Sequence, residues 1–179
     1  MNNWVILFVR TGSEKKIVNY LQSILNVDDY TPFIPMKEAP RKIKGIVSII
    51  SKALFPGYVF IQTKVEKDLI GKQLKEVLFE KASHKSIYSL LHYGLNKNDI
   101  VVRDEERLQW ESLLGDNYCI SSSIGFIEGD KIIIISGALA GLECKIKQII
   151  RHKREAVIEV EIMGAIREVK VMLEIIHKI

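Results

Sequence analysis

Apolar positions along this chain follow two periods, and the change between them divides it. Up to about residue 115 short apolar runs alternate with helical stripes; beyond about residue 126 the period is two. Trp4 to Val9 reads as a strand. Ser13 follows as an N-cap, and Ile17, Leu21, Ile24 and Leu25 then fall on one face of an amphipathic helix. Pro32, Pro35 and Pro40 break any helix and predict an extended or edge segment. The next stretch carries Lys37, Arg41, Lys42, Lys44 and Lys52 against a single acid, Glu38, and Gly45 interrupts it. That pattern predicts a hairpin with a basic tip.

The run LFPGYVFI, Leu54 to Ile61, comes next. Pro56-Gly57 is a turn pair, because Pro fixes φ and Gly tolerates its positive values. Behind it Val59 and Ile61 share one face of a strand, with Tyr58 and Phe60 on the other. A strand apolar on both faces has two surfaces to cover; one can be the core, and the other needs a helix or another protein. Asp68 to Leu78 predicts a helix with Ile70, Leu74 and Val77 on one stripe. Residues 79 to 99 show no clear period, Ile100 to Val102 reads as a strand, and Asp104 caps a helix ending near Gly115 with Trp110, Leu113 and Leu114 inward.

Residues 116 to 125, with Asn117, three serines and Gly125, read as a flexible interdomain linker. After it, Lys131 to Ile135 and Lys145 to Ile150 alternate as strands around a tight loop of small residues. Ile158, Val160 and Ile162 alternate with acids, turn at Met163-Gly164-Ala165, and return through Arg167, Val169 and Val171. Short strands at this spacing predict a small β-barrel. The fold class is therefore α+β: an antiparallel sheet flanked by helices over residues 1–115, the linker 116–125, and a barrel over 126–179.

The totals narrow the function. A formal charge of +4 is compatible with nucleic acid and does not require it. His84, His92, His152 and His177 are scattered without ligand spacing, and Cys119 and Cys144 form no metal set. There is no phosphate loop, GxSxG or HExxH, and paired acids such as Glu105-Glu106 read as solvated charges. Catalytic residues, metal and cofactor are expected to be none, so an enzyme is not expected. No apolar run reaches the roughly 18 residues of a membrane span and no leader is seen, which predicts a cytoplasmic protein with reduced thiols and no membrane partner; a monomer is expected.

Ser51-Lys52-Ala53 with LFPGYVFI resembles the signature of the NusG family of transcription elongation factors. Trp4 to Phe8 with Arg10-Thr11-Gly12 stands where that family has its first strand and helix start. Gly129-Asp130 and Ser136 to Leu142 resemble its carboxyl-terminal KOW motif. The resemblance implies an amino-terminal (NGN) domain followed by an SH3-like KOW barrel. It also implies that Phe8, Leu54, Phe55, Pro56 and Tyr58 form a hydrophobic depression gripping the clamp helices of the largest RNA polymerase subunit. The competing reading makes all five core, and for Leu54 it is equally strong. Arg10, Lys15 and Lys16 match positions near the non-template DNA strand; a solvated helix end, its field weakened by Glu14, explains them as well.

In the last domain Lys145 and Lys147, two apart on a strand, lead to the loop Arg151, Lys153 and Arg154, with Arg167 and Lys170 on the next hairpin. This strip has no acid between Lys145 and Arg154, and it is expected to bind nascent RNA, as a hairpin, through phosphates. An exposed loop is the alternative. Where the general factor has a Phe-Gly-Arg turn for Rho and a ribosomal protein, this chain has Met163-Gly164-Ala165. It therefore looks more like a specialised paralogue of the LoaP antiterminator type. The expected function is operon-specific processive antitermination. The alternatives are a general factor recruiting Rho or the ribosome through its KOW domain, and a ribosome-associated KOW protein.

Overall fold

The computed structural model describes residues 2–81 and 84–178, with all their side chains except those of residues 80, 81, 177 and 178. The chain divides into two compact units, Met1–Pro35 with Phe55–Arg107, and Met36–Leu54 with Leu108–Ile179.

The first unit is built on a four-stranded antiparallel sheet of order β2-β5-β1-β6. β1 (Asn3–Val9) lies between β5 (Tyr58–Thr63) and β6 (Ile87–Leu90), and β2 (Tyr30–Phe33) is the outer strand that the prolines predicted. The two-sided character of β5 is real. Val59 and Ile61 join Val5, Leu7 and Val9 beneath Ile17 and Leu21 of α1 (Glu14–Ile24) and Ile70 and Leu74 of α2 (Lys67–Lys75). Each such side chain stabilises the fold by about 1.5–3 kcal/mol through burial. On the opposite face Trp4, Phe33 and Phe60 meet with ring centroids 5.2–6.1 Å apart.

Several local expectations change in detail. Ser13 stands at the N-cap position of α1 but makes no side-chain capping bond. The second helix gives way after Lys75 to a π-helical turn, Glu76–Lys81, which brings Leu78 rather than Val77 fully inward. Ile100–Val102 is not a strand: Val101 makes an isolated bridge to Val5, and the Val102 N–H donates to the Trp4 carbonyl at 2.8 Å. This stretch is fixed by Tyr93, whose hydroxyl donates to Glu106 Oε2 at 2.7 Å and accepts from the Arg103 N–H at 3.0 Å. Burial, reinforced by the Glu106 carboxylate, pushes that hydroxyl far above its ordinary range, so it remains a donor. Asp104 opens α3 (Asp104–Leu114) as its first residue, paired with Lys67 at 3.6 Å and Arg107 at 3.4 Å.

The second unit holds two sheets. The basic stretch is the expected hairpin, β3 (Met36–Ile43) with β4 (Ile46–Ala53), closed by Lys44 and Gly45 at φ 49° and 86°. Two positive φ values are what a two-residue turn between twisted strands requires. β7 (Cys119–Ile120) pairs with β3 in parallel. The other sheet has order β10-β11-β12-β8-β9, with β8 (Ser123–Glu128), β9 (Lys131–Ser136), β10 (Ile146–Ile150), β11 (Glu155–Ile162) and β12 (Ala165–Lys178). All its ladders are antiparallel except β12–β8, and among the described residues none joins β9 to β10 into a closed barrel.

The tight loop of small residues has a steric reason. At Gly137 (φ +95°) a Cβ would lie within 2.2 Å of the Ser122 carbonyl oxygen, and beside it the Leu139 N–H donates to the buried Ser123 hydroxyl. Residues 119–120 and 123–128, within or overlapping the expected linker, are strands. Polar composition marked a chain that leaves one element for another, but backbone pairing takes up much of it.

Candidate functional site

At the end of the first sheet four aromatic side chains come together. Phe8 packs against Tyr58 at 5.7 Å and Tyr88 at 5.3 Å between ring centroids, and Phe55 meets Tyr58 edge-on at 6.3 Å. Their placement follows from strand register. Phe8 pairs directly with Tyr58 on β5, and a register shift just after its pairing with Ser89 on β6 leaves Tyr88 bulged against the same ring. Phe8 remains 39% exposed and Tyr88 52% exposed, while Phe55 and Tyr58 are half-buried. Core aromatics in the same unit are at most 7% exposed, so this group is a surface.

The turn that presents Phe55 and Tyr58 is pinned from beneath. Gly57 has φ +88°, its carbonyl accepts from the Val9 N–H at 2.8 Å, and its N–H donates to Glu14 Oε1 at 2.6 Å. A Cβ at Gly57 would stand 3.1 Å from Thr11 Oγ1 and 3.3 Å from the Val9 carbonyl oxygen, so the turn sits against the β1–α1 junction. Burial works against ionisation of Glu14, but N–H donors from Gly57, Glu14 itself and Gly12 outweigh it and hold the carboxyl below its ordinary value of 4.5. A buried, ionised carboxylate thus fixes the geometry of the aromatic surface.

Of the expected polymerase-binding set, Phe8, Phe55 and Tyr58 converge, and Pro56 is exposed at the turn between them. Leu54 is buried at 6% exposure and belongs to the second compact unit, so it follows the core reading. Tyr88 and Glu14 were missed. Tyr88 lies in the stretch without legible period, and Glu14 was read only as weakening the field of the neighbouring cations. The position of Glu14, two residues after Gly12 and first in α1, was the available signal.

Arg10, Lys15 and Lys16 are all exposed around the start of α1, the junction against which the Gly57 turn sits.

The carboxyl-terminal cations are arranged differently from the expected strip. Lys145 lies in a 3₁₀ turn, Glu143–Lys145, rather than on β10, so strand alternation does not align it with Lys147. Lys147 pairs with Glu159 of β11 at 3.0 Å, and Arg154 pairs with Glu174 of β12 at 3.6 Å. Acids absent from the local sequence thus arrive across the sheet; exposed pairs of this kind are each worth about 0–1 kcal/mol and yield readily to phosphate. Arg151 and Lys153 are exposed on a second 3₁₀ turn, while Arg167 and Lys170, three apart on β12, project to opposite faces.

Among the described residues no group of three or more His, Cys, Asp or Glu side chains could hold a metal ion. None of their helices is long and apolar enough to cross a membrane.

Family comparison bears on these surfaces. A family model described as transcription termination factor nusG matches residues 2–110. The chain belongs to the NusG family. A KOW motif model matches residues 128–161, so this NusG-family transcription factor carries both an NGN and a KOW region. A solved structure described as domain interaction in Thermotoga maritima NusG resembles it with a TM-score of 0.54 at 22% identity, over 98% of this chain and 94% of that one; at that identity the likeness concerns the fold. A search among curated proteins gives no match.

Proposed function

We propose that this NusG-family protein is an operon-restricted processive antiterminator of the LoaP type, acting on RNA polymerase as a cytoplasmic monomer. The observation that carries the reading is the aromatic surface of Phe8, Phe55, Tyr58 and Tyr88, held open by the Gly57–Glu14 hydrogen bond. Part-exposed aromatics around a rigid turn are the usual anchors of a protein interface. They take the clamp helices of the largest polymerase subunit, and Arg10, Lys15 and Lys16 reach the phosphates of the non-template DNA strand. The KOW region, joined through residues 116–125, lies near the transcript and binds it as a hairpin through Arg151, Lys153 and Arg154, with Lys145, Lys147, Arg167 and Lys170 as secondary cations. The family matches at 2–110 and 128–161 lie on either side of that boundary and support it.

The general role, with Rho or the ribosome recruited by the KOW region, is disfavoured by the turn between β11 and β12. Met163 is buried, and Gly164 and Ala165 offer neither an exposed aromatic nor a guanidinium.

Single-round transcription with purified polymerase tests the proposal. On a template bearing the leader of the operon that this gene accompanies, the protein raises read-through of two successive terminators several-fold; without that leader it does not. Equal effects on both templates favour the general role. No effect on either removes the antiterminator reading.

A further inference from the structure

The second unit contains a groove of about 750 Å³ that the proposed function leaves unused. One wall is the hairpin, through Pro40, Val47 and Ile49. The facing wall is Ile124 of β8 and Met172 of β12, and His152, Lys153 and Arg154 stand at the rim. Register fixes which hairpin residues share the groove side. Pro40 pairs with Ile49 and Lys42 with Val47, so the Lys42 side chain leaves the same face as the three lining residues, and Lys44 follows at the turn. The groove therefore has cations on both sides, from the turn Arg151–Lys153 with Arg154 and from the hairpin tip.

The acids nearby are engaged. Glu38 accepts the Ser122 N–H at 2.7 Å, and Glu174 pairs with Arg154. The base of the hairpin is tied down as well, because the half-buried Lys37 ammonium donates to the Lys170 carbonyl at 2.6 Å. Burial, offset in part by Glu155, makes that ammonium easier to deprotonate than usual, and its hydrogen bond makes it a strut at the hairpin base. Farther out the hairpin carries Arg41, Lys42 and Lys44, all exposed.

We propose that this groove holds a strand of RNA, with the hairpin tip supplying phosphate contacts opposite Lys153 and Arg154. The inference rests on the RNA reading above and extends the binding surface from the KOW region to the hairpin. Charge decides the occupant. A second copy of the chain would bring two equally basic hairpins together, whereas a polyphosphate strand neutralises both rims at once. Apart from Ser122, Ser123 and Glu174, the last paired with Arg154, the lining between the cationic rims is Pro40, Val47, Ile49, Ile124 and Met172, so it covers sugars without stacking and recognition follows backbone shape.

The test measures binding of the full chain to two probes, the operon leader RNA and oligouridylate, over a range of salt. Lys42→Ala combined with Lys44→Asn removes the tip charges, and Asn tolerates the positive φ at position 44. This variant keeps its thermal unfolding, loses about tenfold in affinity for the leader near physiological salt, and shallows the slope of log affinity against log salt by about 1.5. Lys153→Ala with Arg154→Ala is the control on the other rim and behaves alike. If the unaltered chain binds leader RNA no better than oligouridylate, the RNA reading itself fails and this inference with it. If the unaltered chain binds and only the rim control weakens, the RNA reading stands and the hairpin proposal is overturned. Unchanged RNA binding by the tip variant with lost binding of a hexaglutamate peptide also overturns it, in favour of an acidic protein partner.

Discussion

Phe55→Asp lowers the affinity of the chain for RNA polymerase by about 2–4 kcal/mol while leaving the fold intact, because it places a charge in a contact that must lose water. Phe55 is half-buried beside the exposed Pro56 and meets the ring of Tyr58 edge-on, so a polar side chain can turn outward in the free protein without opening the core. In the complex it cannot. Circular dichroism and thermal unfolding check the fold, and fluorescence anisotropy with labelled protein and core polymerase measures the loss. Normal binding by a folded Phe55→Asp protein would place the interface elsewhere on the chain. Leu54→Asp is a poor substitute for this experiment, since Leu54 is buried and its replacement disturbs the core directly.

Glu14→Ala destabilises the protein by about 1.5–3 kcal/mol at neutral pH, the range for a hydrogen bond to a charged group whose partner is left buried. The partner is the Gly57 N–H, and the loss reaches function through the turn it supports. The pH dependence distinguishes this from simple loss of packing. The folded-state pKa of Glu14 lies below its ordinary 4.5, so folding favours the ionised form. Its contribution is complete above about 4.5 and fades as pH falls through the lower, folded value. Urea unfolding of both proteins at pH 7 and near pH 3 therefore shows a gap that narrows with acid. A gap of equal size at both pH values would mean that the carboxylate charge is irrelevant.

The same two residues show where sequence reasoning reached and where it stopped. LFPGYVFI declared a turn and a two-faced strand because Pro and Gly restrict local φ and strand side chains alternate, and both facts are local. Phe55 and Tyr58, beside that turn, were accessible by this route; Phe8 came from the family resemblance. Glu14 was accessible by neither, because the direction of a carboxylate at a helix start depends on which loop folds against it, and the Gly57 turn lies 43 residues away. Tyr88 was hidden in a stretch where a π-helical turn and a four-residue strand leave too few positions to set a period. In the carboxyl-terminal region the local run of cations was legible, but Glu159 and Glu174 come from neighbouring strands and change its charge balance. The hairpin was legible from Pro40 and Gly45; its share in the groove was not, since that depends on parallel pairing of β3 with β7 and on contact with the second sheet.

The claim on which the account turns is that the aromatic surface faces the clamp helices. Tyr88 is suited to test it, being the most exposed ring of the four and the one that sequence reasoning did not supply. A photoreactive phenylalanine analogue at position 88, irradiated in a reconstituted elongation complex, forms its principal crosslink within the clamp helices of the largest subunit, and Phe55→Asp in the same chain abolishes it. A crosslink to any other part of polymerase that survives Phe55→Asp would contradict the account.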